Sequence, residues 1–147
     1  MASLPLTGFI RSPRALRWIA MVQGLVVTFA IAAPTLVIEE DWHGRPMIDQ
    51  PGHLWVVPTF VVAAAFTIGG LLCARRTTES SRALVEGLGL GATVAGTFLV
   101  IDVVRRAARH QALSQGVFRL WVEAALLSVV LASLGAAMGH LYATRER

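Results

Sequence analysis

The chain has 147 residues, of which 55% are hydrophobic and only 15% charged, with a formal net charge of +4 and a mean hydropathy of +0.63. Soluble domains carry charge on about a quarter of their residues, so these values exclude an ordinary soluble globule and point to a lipid bilayer as solvent. All 13 basic residues are arginine, and they flank apolar runs without forming an aromatic-interleaved patch, which argues against a nucleic-acid partner.

The first apolar run, Trp18–Ile38, is uncharged and has the roughly 20 residues needed to cross a bilayer core. Arg11, Arg14 and Arg17 precede it, and Glu39, Glu40 and Asp41 follow it. By the positive-inside rule the N-terminus is expected in the cytoplasm. The upstream arginines and "AIAAP" resemble a cleaved leader, yet the run continues through Thr35–Ile38, so a retained anchor is expected. Pro34 should bend or loosen the last turn.

The second run is Leu54–Ala74, with Pro58 in its first turn, where a missing N–H does no harm. The third, Leu84–Val104, carries Glu86 and Asp102 near its two ends. Its Gly87-x-Gly89-x-Gly91 lacks a preceding strand and a following Lys-Ser/Thr, so it is not a phosphate loop. The fourth, Val117–Tyr142, has Arg119 and Glu123 in its opening turns. A soluble bundle would show a charged face on each helix, whereas these runs are apolar all round. The tryptophans Trp18, Trp42, Trp55 and Trp121 all lie at run ends, where an amphipathic ring meets the headgroups.

The expected fold is therefore an all-α integral membrane protein. One domain, residues 1–147, would form an up-down antiparallel bundle of four transmembrane helices over about 18–38, 54–74, 84–104 and 117–142. Both termini would be cytoplasmic. Eight arginines then lie inside (11, 14, 17, 75, 76, 82, 145, 147) and five outside (45, 105, 106, 109, 119). The loop 105–116 is placed outside against its own local signal. The acidic segment 39–53, "EEDWHGRPMIDQPGH", is the expected counter-charge. The absence of lysine and the wealth of Ala, Gly and Val suggest a GC-rich genome, hence the plasma membrane of a bacterium.

Ionisable groups inside a membrane are functional suspects. Most here have a helical neighbour of opposite charge: Asp102 with Arg105 and Arg106, Glu123 with Arg119, Glu86 with Arg82, and Glu79 with Arg75. Salt bridges on one helix face are the first expectation for each. The second is convergence of Asp102 and Glu123, which sit on consecutive helices one to two turns below the same surface. Together with Arg105, Arg106 and Arg109 they would form a site for an ion or an anionic lipid.

His43, His53, His110 and His140 show no metal-ligand spacing, and Cys73 is alone, so neither a metal nor another cofactor is expected. Gly87-xxx-Gly91 and Gly135-xxx-Gly139, with the ridge Ala124, Ser128, Ala132 and Ala136, offer small-residue surfaces for close helix packing. They would serve the bundle itself, a homo-oligomer or another membrane subunit. No nucleophile-and-base pattern is present. The expected function is that of a non-catalytic accessory or structural subunit of a membrane complex. The alternative is a small carrier or lipid- or anion-binding protein using Asp102, Glu123 and the arginines.

Overall fold

A computed structural model describes residues 13–43, 56–77, 79–112 and 114–145, excepting the side chains of 13–16 and 37–43. Four helices account for nearly all of these: α1 (Pro13–His43), α2 (Val56–Ala74), α3 (Ser80–Ala108) and α4 (Gln115–Arg145). No strand occurs among the described residues. All four helices are long and apolar enough to cross a membrane. Large apolar side chains such as Val26, Phe60, Val85 and Leu126 point outward from every one of them. A face of this kind is stable against lipid and not against water. The fold is all-helical and compatible with a multi-pass membrane protein.

Three of the helices outrun their apolar cores, because the hydrogen-bonded spiral continues into the polar flanks. α1 passes through Pro34 and persists to His43, so the proline does not end it; it removes one backbone donor in a helix that otherwise closes its ladder. At the far end of α3 the chain turns without a glycine. His110 takes a positive φ of 53°, its N–H donates to the Ala107 carbonyl, and the Gln111 N–H donates to Arg106 at 2.9 Å. That pair of bonds is the Schellman arrangement, which usually places glycine at the left-handed position.

Consecutive helices run antiparallel, as the contacts of their glycines show. Gly24 of α1 lies against Gly69 and Cys73 of α2, and the Thr28 hydroxyl donates to Gly24 and Ala65 carbonyls at 2.8 and 3.4 Å. α4 then inserts between α2 and α3. It runs parallel to α2, with Gly135 on the Thr67 backbone and Gly139 on Leu71, and antiparallel to α3, whose Gly87 and Gly91 rest on Ala132 and Val129. α1 packs on α2 and reaches α3 less extensively, while α1 and α4 hardly approach each other.

The two ends of the bundle differ in consequence. Every glycine named above lies toward the end where α1 begins and α2 finishes, and there the backbones touch. A Cβ on Gly91 would stand only 2.6 Å from Val129 Cα, and one on Gly70 would overlap the Ala132 carbonyl. Such close approach needs residues without side chains. The core above this end consists of Phe66, Cys73, Leu90, Val94 and Ala132, bordered by Met21, Leu25 and Phe29. Toward the opposite end the helices stand apart around a cavity whose lining contains no glycine.

Candidate functional site

The cavity has a volume of about 440 Å³ and is lined by all four helices. Its walls are apolar: Ala33 and Leu36 of α1, Val62 and Phe66 of α2, Phe98 of α3 and Leu131 of α4 are representative. Among its charged lining groups are Asp102 and Arg105 from α3 and Glu123 from α4. The ridge foreseen on α4 divides between two tasks. Ala132 and Ala136 are buried where the helices meet, and Ala124 and Ser128 line the cavity.

Asp102 is buried, and its Oδ2 accepts two hydrogen bonds. Arg106 Nε donates at 2.7 Å from one turn along the same helix, and Trp121 Nε1 donates at 2.9 Å from α4. Arg106 is itself buried. An ion pair out of contact with water must offset a desolvation cost of several kcal/mol per ion, and the added indole donor helps Asp102 do so. Glu123 accepts from Arg119 Nε at 2.8 Å, but this pair is mostly exposed, and solvent screening leaves it little weight in the fold.

Asp102 and Glu123 thus share a cavity wall, each held by its own guanidinium. Of the arginines named from the sequence, Arg105 lines the cavity and Arg106 is consumed by Asp102. Arg109 is exposed at the end of α3, where it forms the helix C-cap. The acidic counter-segment Glu39, Glu40, Asp41 and Asp49 lies outside the described residues or side chains, as do the side chains of His43 and His53. Among the described residues no three His, Cys, Asp or Glu side chains gather as a metal site would require.

A second polar cluster sits at the glycine end, and here the partner expected from spacing is corrected. Glu86 is buried and does not pair with Arg82. Its Oε1 accepts from Arg17 Nη2 at 2.7 Å, and its Oε2 accepts from the Thr77 hydroxyl at 2.5 Å. Arg82 turns to Glu79 at 3.2 Å, and Arg75, expected beside Glu79, donates instead to Gln23 at 2.7 Å. The reason is orientation: Glu86 faces the bundle interior, whereas Arg82 and Glu79 are exposed. His140 Nδ1 lies 2.9 Å from the Thr77 carbonyl. One acid therefore connects α1, the α2–α3 turn and α3, and the same turn reaches α4.

Neither a family model, nor a curated protein, nor a solved structure matches this chain. The functional reading rests on the geometry alone.

Two features of the site were not read from the sequence. Residue type alone places Trp121 at the headgroup level. Its pairing could have been found, because Asp102 and Trp121 are equally far from the midpoint of the 109–114 connection, and equidistant residues face each other in an antiparallel hairpin. The cavity itself has no local signature.

Proposed function

We propose that this chain is a non-catalytic multi-pass protein of the bacterial plasma membrane, both termini cytoplasmic, which binds a membrane amphiphile. The observation that supports this reading is the cavity: apolar walls contributed by four helices, with Asp102, Arg105 and Glu123 among its lining. Its size falls in the range of about 300–1,000 Å³ common for small-molecule sites, and few polar groups on apolar walls are the usual make-up of such sites. An amphiphile would place its apolar part against Val62, Phe66 and Phe98 and its polar part near Arg105 and Glu123. The Asp102–Arg106–Trp121 cluster serves as rigid wall, since its bonds are already made.

The test is native mass spectrometry of the protein purified in a mild detergent. Ser128→Trp would fill the cavity, and Thr97→Trp, on an exposed position of α3, is the control. The wild type and Thr97→Trp should retain a bound lipid-sized mass that Ser128→Trp loses. Equal occupancy in all three, or none in the wild type, would exclude the cavity as the binding site.

The accessory-subunit reading is supported by a different surface. Gly89, Thr93 and Gly96 lie on the outward side of α3, and a Cβ on either glycine would meet nothing within 4 Å. Such a flat strip admits another helix backbone. Purification of the intact chain with a second membrane polypeptide, lost on Gly89→Leu or Gly96→Leu, would favour this role.

A further inference from the structure

Among the polar groups that line the cavity, the donors are committed and the acceptors are not. The Trp121 N–H donates to Asp102 Oδ2, and the Ser128 hydroxyl donates to the Ala124 carbonyl at 2.8 Å. Arg105, the only guanidinium in the lining, has a partner of its own. Thr59 adds a hydroxyl that can take either role. Each carboxylate, by contrast, is held through one oxygen. Both bonds to Asp102 arrive at Oδ2 and the bond to Glu123 arrives at Oε1, so no described residue donates to Asp102 Oδ1 or Glu123 Oε2. Nor is Asp102 Oδ1 sealed in the protein. Among the described residues the one fully buried side-chain polar atom without a hydrogen bond is Arg17 Nε, at the glycine end. Asp102 is a lining residue, so the surface that Oδ1 keeps opens into the cavity.

The charges around the cavity are matched as well. Arg106 neutralises Asp102, Arg119 neutralises Glu123, and Arg105 is engaged. A phosphate or carboxylate head would bring a third anion beside two carboxylates, and an ammonium would bring a cation beside Arg105. Either leaves an unmatched charge against apolar walls, which costs far more than burying a neutral hydroxyl that finds an acceptor. A hydroxyl supplies the donor that the lining lacks and adds no charge.

We infer that the amphiphile in the cavity carries an uncharged hydroxyl head, which donates to the uncommitted oxygens of Asp102 and Glu123, an assignment that rests on the amphiphile-binding reading and adds the ligand class to it. A long-chain alcohol and a monoacylglycerol share this chemistry, and the experiment separates the two. Anionic phospholipids, whose heads only accept at the phosphate, are excluded.

The test presents the full-length chain, in phosphatidylcholine nanodiscs, with an equimolar mixture of amphiphiles of one chain length. Their heads are a primary alcohol, a glycerol ester, a carboxylate, a phosphate and an ammonium, and native mass spectrometry reads each bound species by its mass. The alcohol or the glycerol ester should be retained at least about tenfold over the charged heads, the effect of one hydrogen bond to a charged acceptor. The stronger of these two signals identifies the source. Glu123→Arg, at a mostly exposed position, exchanges an acceptor for a donor. It should lower retention of the hydroxyl heads and raise that of the phosphate. A wild type that prefers a charged head, or an unchanged ranking in Glu123→Arg, would overturn the assignment; the wild-type ranking decides alone if that variant does not fold.

The head and the cavity fail separately. Equal retention of all heads, lost with Ser128→Trp, would keep the cavity as the binding site and overturn the hydroxyl assignment. Retention indifferent to Ser128→Trp would remove the binding reading itself, and the head assignment with it.

Discussion

Trp121 donates its indole N–H to the same Asp102 oxygen that receives Arg106 Nε, at 2.9 and 2.7 Å, so α3 and α4 are tied at a single carboxylate atom. The tie lies in the wall of the largely apolar cavity. Asp102→Asn should destabilise the protein by up to about 3–5 kcal/mol, because it replaces the carboxylate of a buried ion pair with a neutral amide. Trp121→Phe removes one hydrogen bond to a charged group and should cost about 1.5–3 kcal/mol. The joint replacement Asp102→Leu with Arg106→Met should recover only part of the loss, since it removes both charges of the pair but also the acceptor of the Trp121 N–H. Thermal unfolding in a mild detergent gives the ranking, and a single Asp102→Asn protein as stable as wild type would refute it.

The glycines divide into those with a backbone against them and those facing outward, and alanine separates the two kinds. Gly135→Ala should force α4 away from the Thr67 carbonyl, an overpacking worth about 1–3 kcal/mol. Gly89→Ala meets nothing and should be neutral or stabilise α3 by up to about 1 kcal/mol through helix propensity. The same melting measurement checks both. Equal effects at the two positions would mean that α2 and α4 are not in backbone contact.

His110 occupies the left-handed position that closes α3, a conformation costing a side-chain-bearing residue about 1–2 kcal/mol. His110→Gly should therefore raise stability by about 1 kcal/mol, the relief being partly offset by glycine's greater freedom when unfolded. His110→Ala keeps a Cβ and should give no such gain. A destabilised glycine variant would indicate that the imidazole makes a bond worth more than the strain.

How much was legible in the sequence depends on how local each feature is. The four spans follow from apolar length, a property of each segment alone; helices cover three of the runs in full and the second from Val56 onward, residues 54–55 lying outside the described ones. Asp102–Arg106 and Glu123–Arg119 were equally readable, because four residues along a helix return to the same face. The same rule misled at Glu86. Spacing offered Arg82, but the carboxylate points into the bundle, and its partner there depends on which helix packs alongside. That partner lies on α1, which packs alongside α3 in the bundle, an arrangement no single segment encodes. The cavity is more remote still, since it arises from where glycines are absent relative to where they are present on neighbouring helices.

The Arg17–Glu86 pair also bears on the order of events at synthesis. Its members are 69 positions apart, so the guanidinium leaves the ribosome long before the carboxylate. An ionised side chain placed alone at mid-membrane costs about 2.5–3.5 kcal/mol by insertion measurements. Were the helices inserted into a bilayer in chain order, Glu86 would meet a cation already in place, and α3 would enter with that penalty reduced. Asp102 and Arg106, a single turn apart, emerge together and require no such sequence of arrivals. Charge neutralisation is thus a matter of timing at one end of the bundle and of spacing at the other.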